Sequence, residues 1–186
     1  EDLLKNLIRD YLDENIDRVV VDDKKDYQRL VDLTSVFAPD LKNRIALYQR
    51  NIPILAAYNV EKEIESLLQR KVWLKSGGYL VIDQTEALVS IDINTGKFTG
   101  KKNLQDTIVK TNKEAVAEIA RQIKLRDIGG IIIIDFIDMN NQSDQQSVTD
   151  LLANELAKDR TKTSILGFTQ LGLLEMTRKK VREGFG

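Results

Sequence analysis

Two β-branched, apolar runs that carry carboxylates constrain this chain more than anything else in it. They are Val89-Ser90-Ile91-Asp92-Ile93-Asn94-Thr95-Gly96 and Gly129-Gly130-Ile131-Ile132-Ile133-Ile134-Asp135-Phe136-Ile137-Asp138-Met139. Their composition is that of buried strands. An ionised carboxylate on buried sheet is costly without a partner charge or a cation. If the two strands lie side by side, Asp92 and Asp135 can share one cation at their ends.

Composition removes most other chemistries. The chain has no cysteine and no histidine. That excludes a disulfide framework, a thiolate nucleophile, a thiolate zinc site, and the commonest general base and soft-metal ligand. Any metal must be held by oxygen, which favours Mg²⁺, with Mn²⁺ as the alternative. Lys and Arg number 28 against 29 Asp and Glu, a formal charge of -1, so the chain is not a uniformly basic nucleic-acid coat. A local basic groove beside an acidic site is compatible with that balance. With 186 residues, 42% hydrophobic and 31% charged, the chain suits one globular domain or two small subdomains. No apolar run reaches the roughly 20 residues of a membrane span, and no signal-peptide pattern opens the chain, so a cytoplasmic protein is expected. The sequence starts at Glu1 without methionine and ends Gly184-Phe185-Gly186, which reads as a piece of a longer protein.

Taken in order, apolar spacing predicts a helix over 2–14, a strand over 16–21, a helix over 26–37, a short strand over 45–48 and a helix over 60–70. Asp22, Asp23 and Asp26 read as a solvated loop. A hairpin follows, with strands over 71–74 and 79–83 around Ser76-Gly77-Gly78. The first acidic strand comes next, then a long helix over 104–125 stopped by Asp127 and Gly129-Gly130, then the second acidic strand. Ser143-Asp144-Gln145-Gln146 matches a capping box with Ser143 as N-cap. A strand over 163–168 and a basic helix over 173–182 complete the pattern. These elements predict an α/β (α+β) fold, a mixed β-sheet covered by helices in two subdomains, 1–67 and 68–186.

Asp92 and Asp135 both fall at the carboxyl ends of their runs, where open α/β sheets gather ligands. Two carboxylates with the Asn94 carboxamide can coordinate a hard divalent ion, which suits phosphoryl chemistry without histidine. The competing reading is that these aspartates cap turns or pair with Arg or Lys. Asp138 is three residues from Asp135, so on one straight strand the two would face opposite sides. Asp135 is therefore preferred as ligand and Asp138 as a turn or supporting residue. Lys97, Lys101 and Lys102 neighbour this site in sequence, and Lys110, Lys113, Arg121, Lys124 and Arg126 dot the long helix. Arg178, Lys179, Lys180 and Arg182 form a terminal cluster. Such groups can hold a phosphate backbone or simply form a solvated face. Trp73, Tyr79 and Phe98 can stack on bases; core packing is the preferred reading for Trp73, and neither reading prevails for Phe98. No Walker A loop, G-x-G-x-x-G or G-x-S-x-G motif is present.

Several blocks occur in an order that resembles the bacterial ribonuclease E/G family. They are Thr85-Glu86-Ala87-Leu88, Ile91-Asp92-Ile93-Asn94, Asn112, Glu118-Ile119-Ala120-Arg121-Gln122, Leu125-Arg126-Asp127, Gly129-Gly130, Ile134 to Met139 and Gly172 to Arg178. The resemblance covers about 68–182 and corresponds to the family's deoxyribonuclease-I-like subdomain. Residues 1–67 resemble, more weakly, the ribonuclease-H-like subdomain before it.

The resemblance implies an Mg²⁺-dependent endoribonuclease that cuts single-stranded RNA in RNA processing and decay and leaves 5′-monophosphate ends. Asp92 and Asp135 match the family's metal ligands, Asn94 the asparagine that supports them, and Asn112 and Asp138 stand behind them. Lys97, Lys101, Lys102 and Lys113 are expected to contact RNA. Lys162 falls where the family has an arginine implicated in sensing the RNA 5′ end; it keeps the charge but loses the bidentate fork. The family's RNA-gripping oligonucleotide-binding domain is expected outside this chain, as are the zinc-linking cysteines. A homodimer is one assembly such a core can form, though not a zinc-joined one. A noncatalytic RNA-binding or assembly module with the same fold, or a phosphoesterase for small molecules, would be the rival readings.

Overall fold

The computed structural model describes residues 3–96 and 104–180. Lys97, Phe98, Lys101, Lys102 and Arg182, singled out from the sequence, lie outside the described residues. The chain divides into two units, Glu1–Glu63 and Ile64–Gly186.

In the first unit, α1 (Leu3–Tyr11) precedes β1 (Val19–Val21), and α2 (Lys24–Phe37) carries the chain to a 3₁₀ turn (Pro39–Arg44) and β2 (Ile45–Leu47). The two strands pair in parallel, Val19 opposite Ile45. Ile8, Leu30 and Ile45 form a small core. Asp23 is the N-cap of α2; its carboxylate accepts from the backbone N–H groups of Lys25 and Asp26 at 2.8 and 2.9 Å, which satisfies two otherwise orphaned donors. The short helix α3 (Ile54–Ala57) follows, and α4 (Val60–Leu67) carries the chain from the first unit into the second.

The second unit is built on a six-stranded mixed sheet of order β3-β4-β5-β6-β8-β7. Its strands are β3 (Lys71–Trp73), β4 (Tyr79–Gln84), β5 (Leu88–Asn94), β6 (Gly130–Asp135), β7 (Thr163–Phe168) and β8 (Leu173–Arg178). Only β5 and β6 are parallel neighbours. They are joined by α5 (Leu104–Leu125), while α6 (Gln142–Leu156) joins β6 to β7. At 1.5 Å per residue, α5 spans about 33 Å, ample to return the chain beside β5. Leu80, Ile82, Val89, Ile91, Ile93, Ile132, Ile134, Leu174 and Met176 alternate along the strands and bury one sheet face. Against them pack Ala115, Val116, Ile119 and Ile123 of α5 and Val148, Leu152 and Leu156 of α6. The fold class read from the sequence is the one observed. No helix among the described residues is long and apolar enough to cross a membrane.

Two local expectations are corrected. Residues 173–178 form a strand, not the start of a helix over 173–182. Their burial alternates with period two, Leu174, Met176 and Arg178 inward and Glu175 outward. β8 fills the gap between β6 and β7, so ladder hydrogen bonds on both sides override the helical preference of Leu-Leu-Glu-Met. The helix α6 begins at Gln142 with extended Asn141 as its N-cap, so Ser143 sits inside the first turn rather than capping it. The carbonyl of Asn141 already accepts from the N–H groups of Asp144 and Gln145, which fixes the start two residues early.

The end of α5 shows how a turn can also be a charge holder. Asp127 has φ +49, and the N–H groups of Asp127 and Ile128 donate to the carbonyls of Lys124 and Ile123. This is a Schellman ending with aspartate where glycine is usual. Its carboxylate accepts from Arg178 Nη1 at 2.9 Å, while Arg178 Nε donates to Asp159 at 2.9 Å and Nη1 also reaches the Ile128 carbonyl at 2.9 Å. Arg178 is 4% exposed. It is therefore a structural clamp among the α5–β6 turn, the α6–β7 loop and β8, and not part of a basic RNA-facing cluster.

Candidate functional site

The parallel β5–β6 pair brings the two acidic runs together. Asp92 on β5 is the register partner of Asp135, the last residue of β6. Neighbouring strands are about 4.8 Å apart, so both carboxylates leave the sheet from adjacent backbones, on the face opposite the helices. An antiparallel pairing would have put the two strand ends at opposite edges. Asn94, two residues beyond Asp92 and on the same face, donates Nδ2 to Asp92 Oδ2 at 2.7 Å.

The chain leaves the strand immediately after Asp135, with Phe136 and Met139 turned into the core. That break lets Asp138 reach the side that Asp135 faces. Asp92, Asn94, Thr95, Asp135 and Asp138 all line one open cavity of about 300 Å³. Although Asp135 is exposed, partial desolvation by its neighbours pushes its carboxyl up, and the nearby Asp92 and Asp138 charges push it further in the same direction. The site therefore concentrates negative charge with no basic side chain among its described lining residues. Among the described residues these aspartates pair with no Lys or Arg, and no group of three or more acidic side chains is placed to hold a metal ion by itself.

Asn112 of α5 stands directly behind the cavity. It is fully buried, donates Nδ2 to the Ile137 carbonyl at 2.8 Å and accepts from the Ile137 N–H at 3.1 Å. The asparagine thus holds the peptide between Asp135 and Asp138. On the other side, Gly78 of the β3–β4 turn lies so close that a Cβ there would stand 2.8 Å from the Asn94 carbonyl oxygen.

Other residues singled out from the sequence lie elsewhere. Lys113 is exposed and lines a separate α5–α6 cavity with Gln146 and Asp150. Lys162 is exposed beside the Arg178 end of β8, which pairs with Gly130 at the opposite end of β6 from Asp135. Arg126 is engaged by Gln122 and the Gln69 carbonyl, both at 2.7 Å. Trp73 is a clear correction: it is 65% exposed on the edge strand β3, not in the core. Sequence reading also missed Lys71, whose Nζ lies 4.1 Å from the Trp73 ring centroid and 3.6 Å from that of Tyr79. The i, i+2 spacing of Lys71 and Trp73 on a predicted hairpin was the available signal.

A six-stranded mixed sheet flanked by helices, with an acidic pair at adjacent strand ends, is consistent with an α+β nuclease fold. Comparison with known proteins agrees: the model of the "Ribonuclease E/G family" matches residues 1–181. The chain is 52% identical over 181 residues to "Ribonuclease G" of Salmonella typhimurium (strain SL1344), covering 97% of this chain and 37% of that protein. It is 40% identical over 185 residues to "Ribonuclease E" of Haemophilus influenzae, covering 100% of this chain and 20% of that protein. A "Ribonuclease E/G-like protein, chloroplastic" from Arabidopsis thaliana is 41% identical over 179 residues, 95% of this chain and 18% of that protein. The chain belongs to the ribonuclease E/G family. It spans a little over a third of the length of the ribonuclease G relatives it matches.

Proposed function

We propose that this chain carries the cutting site of an Mg²⁺-dependent endoribonuclease that hydrolyses single-stranded RNA in the cytoplasm, in RNA processing and decay. The observation that carries the reading is the register pairing of Asp92 with Asp135 on adjacent parallel strands, in a chain that belongs to a ribonuclease family. The donor set suits the metal. Carboxylates and a carboxamide are hard oxygen ligands, nitrogen and sulfur ligands from His and Cys are absent from the sequence, and the crowded charge around Asp135 favours a cation.

Asp92 and Asp135 would hold the ion. Asn94 fixes one Asp92 oxygen through its amide, leaving the other for the cation. Asp138 adds negative charge at the rim, and Asn112 keeps the 135–138 peptide in place. When bound, Mg²⁺ supplies charge stabilisation to the scissile phosphoryl group and acidifies the attacking water. In the overall reaction a water oxygen bonds to phosphorus and the bond to the 3′ oxygen breaks. The 3′ oxygen takes up a proton, giving a 3′-hydroxyl and a 5′-monophosphate. With no histidine in this chain to activate a 2′-hydroxyl, water is the preferred nucleophile at this site.

The test is cleavage of a single-stranded, A- and U-containing RNA oligonucleotide by the chain and by its longer parent, in Mg²⁺ and in EDTA. Cleavage should require Mg²⁺, disappear in Asp92→Asn and in Asp135→Asn, and yield 5′-phosphorylated products. Normal cutting by both variants would rule out the two-aspartate site. RNA binding without cutting by the parent would favour a noncatalytic module.

A further inference from the structure

Beside the acidic cavity, one row of side chains crosses three strands. Trp73 on β3 is the register partner of Tyr79 on β4, and Tyr79 is the register partner of Asn94 on β5. All three project from the sheet face that carries Asp92 and Asp135, because each stands an even number of positions along its strand from a residue in the Asp92 row. Trp73 and Tyr79 meet edge to face, with ring centroids 5.2 Å apart. Their rings help to wall an open cavity of about 620 Å³ whose remaining lining is Gly77, Asn94, Thr95 and Gly96. Asn94 and Thr95 line the acidic cavity too, so the two hollows meet along the end of β5.

This arrangement is unusual for a structural tryptophan. A Trp ring left 65% exposed forgoes most of the hydrophobic gain its area could supply. Its indole is steadied from two sides, by Tyr79 and by the ammonium of Lys71, which lies over both rings. Lys71 is not among the residues that line the cavity, whereas Trp73 and Tyr79 are. The result is a fixed, solvent-facing aromatic step with a positive charge beside it, about 10 Å from Asn94, two inter-strand spacings away. Exposed aromatic surface with adjacent positive charge is what a sequence-tolerant single-strand site uses, since every base has a π face.

Resting on the endoribonuclease reading above, we infer that the Trp73–Tyr79 step is a nucleobase platform: it stacks a base of the single-stranded RNA close to the scissile phosphate, with Lys71 beside the neighbouring backbone. Stacking there sets where along the strand the phosphate meets Asp92 and Asp135. It recognises single strands, because inside a duplex both faces of a base are already stacked on the neighbouring pairs. It also accepts any base, so it positions the cut without specifying a sequence.

Trp73 is the only tryptophan in the chain, so its emission reports on this spot alone. In EDTA, a single-stranded A/U RNA oligonucleotide should quench that emission as it binds, with binding followed independently by anisotropy of an end-labelled strand. An abasic ribose-phosphate strand of equal length should not quench. Trp73→Ala should weaken binding of the intact RNA roughly 5- to 100-fold and leave the abasic strand unaffected, whereas Trp73→Phe should restore most of the loss. In Mg²⁺, Trp73→Ala should also blur the cleavage position. If RNA binds and is cut in an Asp92-dependent way while the emission stays unchanged and Trp73→Ala binds normally, the platform is wrong and the acidic site stands. If neither RNA nor abasic strand binds, the RNA reading fails and the platform with it. Loss of a self-associated state in Trp73→Ala, with RNA affinity intact, would assign the patch to a second copy of the chain and overturn the proposal.

Discussion

Asn112 holds Ile137 by both of its backbone polar groups, donating to the carbonyl at 2.8 Å and accepting from the N–H at 3.1 Å. A side-chain amide offers a donor and an acceptor side by side without carrying a charge. The irregular peptide after β6 is thereby satisfied inside the core, and the rim of the acidic cavity is tied to α5.

Asn112→Leu should therefore leave two backbone groups of Ile137 without partners. The expected cost is about 2–6 kcal/mol in urea unfolding, from a desolvation penalty of about 1–3 kcal/mol for each of the two orphaned groups. The slope against urea should be unchanged. RNA cleavage should fall more than global unfolding at the assay temperature explains, because the 135–138 segment loosens. Wild-type stability in this variant would show that another group satisfies Ile137.

Asp135→Asn should remove cleavage while stabilising the metal-free protein at neutral pH. The Asp135 carboxyl is raised by partial desolvation and by the Asp92 and Asp138 charges. A raised carboxyl binds its proton more readily folded than unfolded, so its ionised form costs stability above the folded value. The cost is relieved as pH falls through that value toward the ordinary carboxylate range. Asp135 is solvent-exposed, so screening keeps the gain below about 1 kcal/mol, or up to about 3 °C in Tm. Thermal melts in EDTA at neutral and at mildly acidic pH should show the advantage of Asp135→Asn shrinking on acidification.

Mg²⁺ should reverse that order. The ion binds the folded wild-type site and not the unfolded chain, so Tm should rise with Mg²⁺ concentration in wild type. The rise should be lost in Asp92→Asn and in Asp135→Asn. An equal rise in both variants would place the stabilising ion elsewhere.

Arg178→Met should cost about 3–5 kcal/mol, the penalty of breaking a buried ion pair from one side. Asp159 would lose the Arg178 guanidinium and keep the Thr161 N–H, and Asp127 would lose its Arg178 hydrogen bond at a left-handed turn. Burial alone pushes the Asp159 carboxyl up, but hydrogen bonds from Arg178 and the Thr161 N–H outweigh it and hold it below the usual range. Stability from a depressed carboxyl is present above its unfolded value and lost as pH falls through the folded one. The acid limb of the stability profile should therefore be shallower in Arg178→Met than in wild type.

Gly78→Ala tests the packing that positions Asn94. The added methyl would meet the Asn94 carbonyl oxygen at 2.8 Å, closer than a Cβ tolerates. Relief must come from movement of the hairpin turn or of the end of β5. Stability should drop by about 1–3 kcal/mol as for other overpacked sites, and cleavage should fall with it.

Local pattern made much of this fold legible. The period of 3.6 predicts the long helix, which among the described residues is α5, Leu104–Leu125, and the Gly77-Gly78 turn with flanking β runs gives the β3–β4 hairpin. The candidate site was legible because carboxylates interrupt runs that are otherwise pure strand. The final element was misread because Leu-Leu-Glu-Met is helix-favouring, whereas its actual alternation, Leu174 and Met176 against Glu175, becomes decisive only once β6 and β7 flank it. Arg178 was read as a surface charge because its two carboxylate partners lie 51 and 19 residues away.

The sequence by itself determined most strands and helices of the second unit, the two carboxylates at strand ends, and an oxygen-only ligand set, since those follow from residue type and local spacing. Only the tertiary structure decided that β5 and β6 run parallel in a register that faces Asp92 with Asp135. It alone left Trp73 on an open edge and drew Arg178 inside. Each of these depends on which distant strands become neighbours, and the free energy of pairing non-local strands is spread over the whole sheet and its helical cover rather than written in any short stretch of chain.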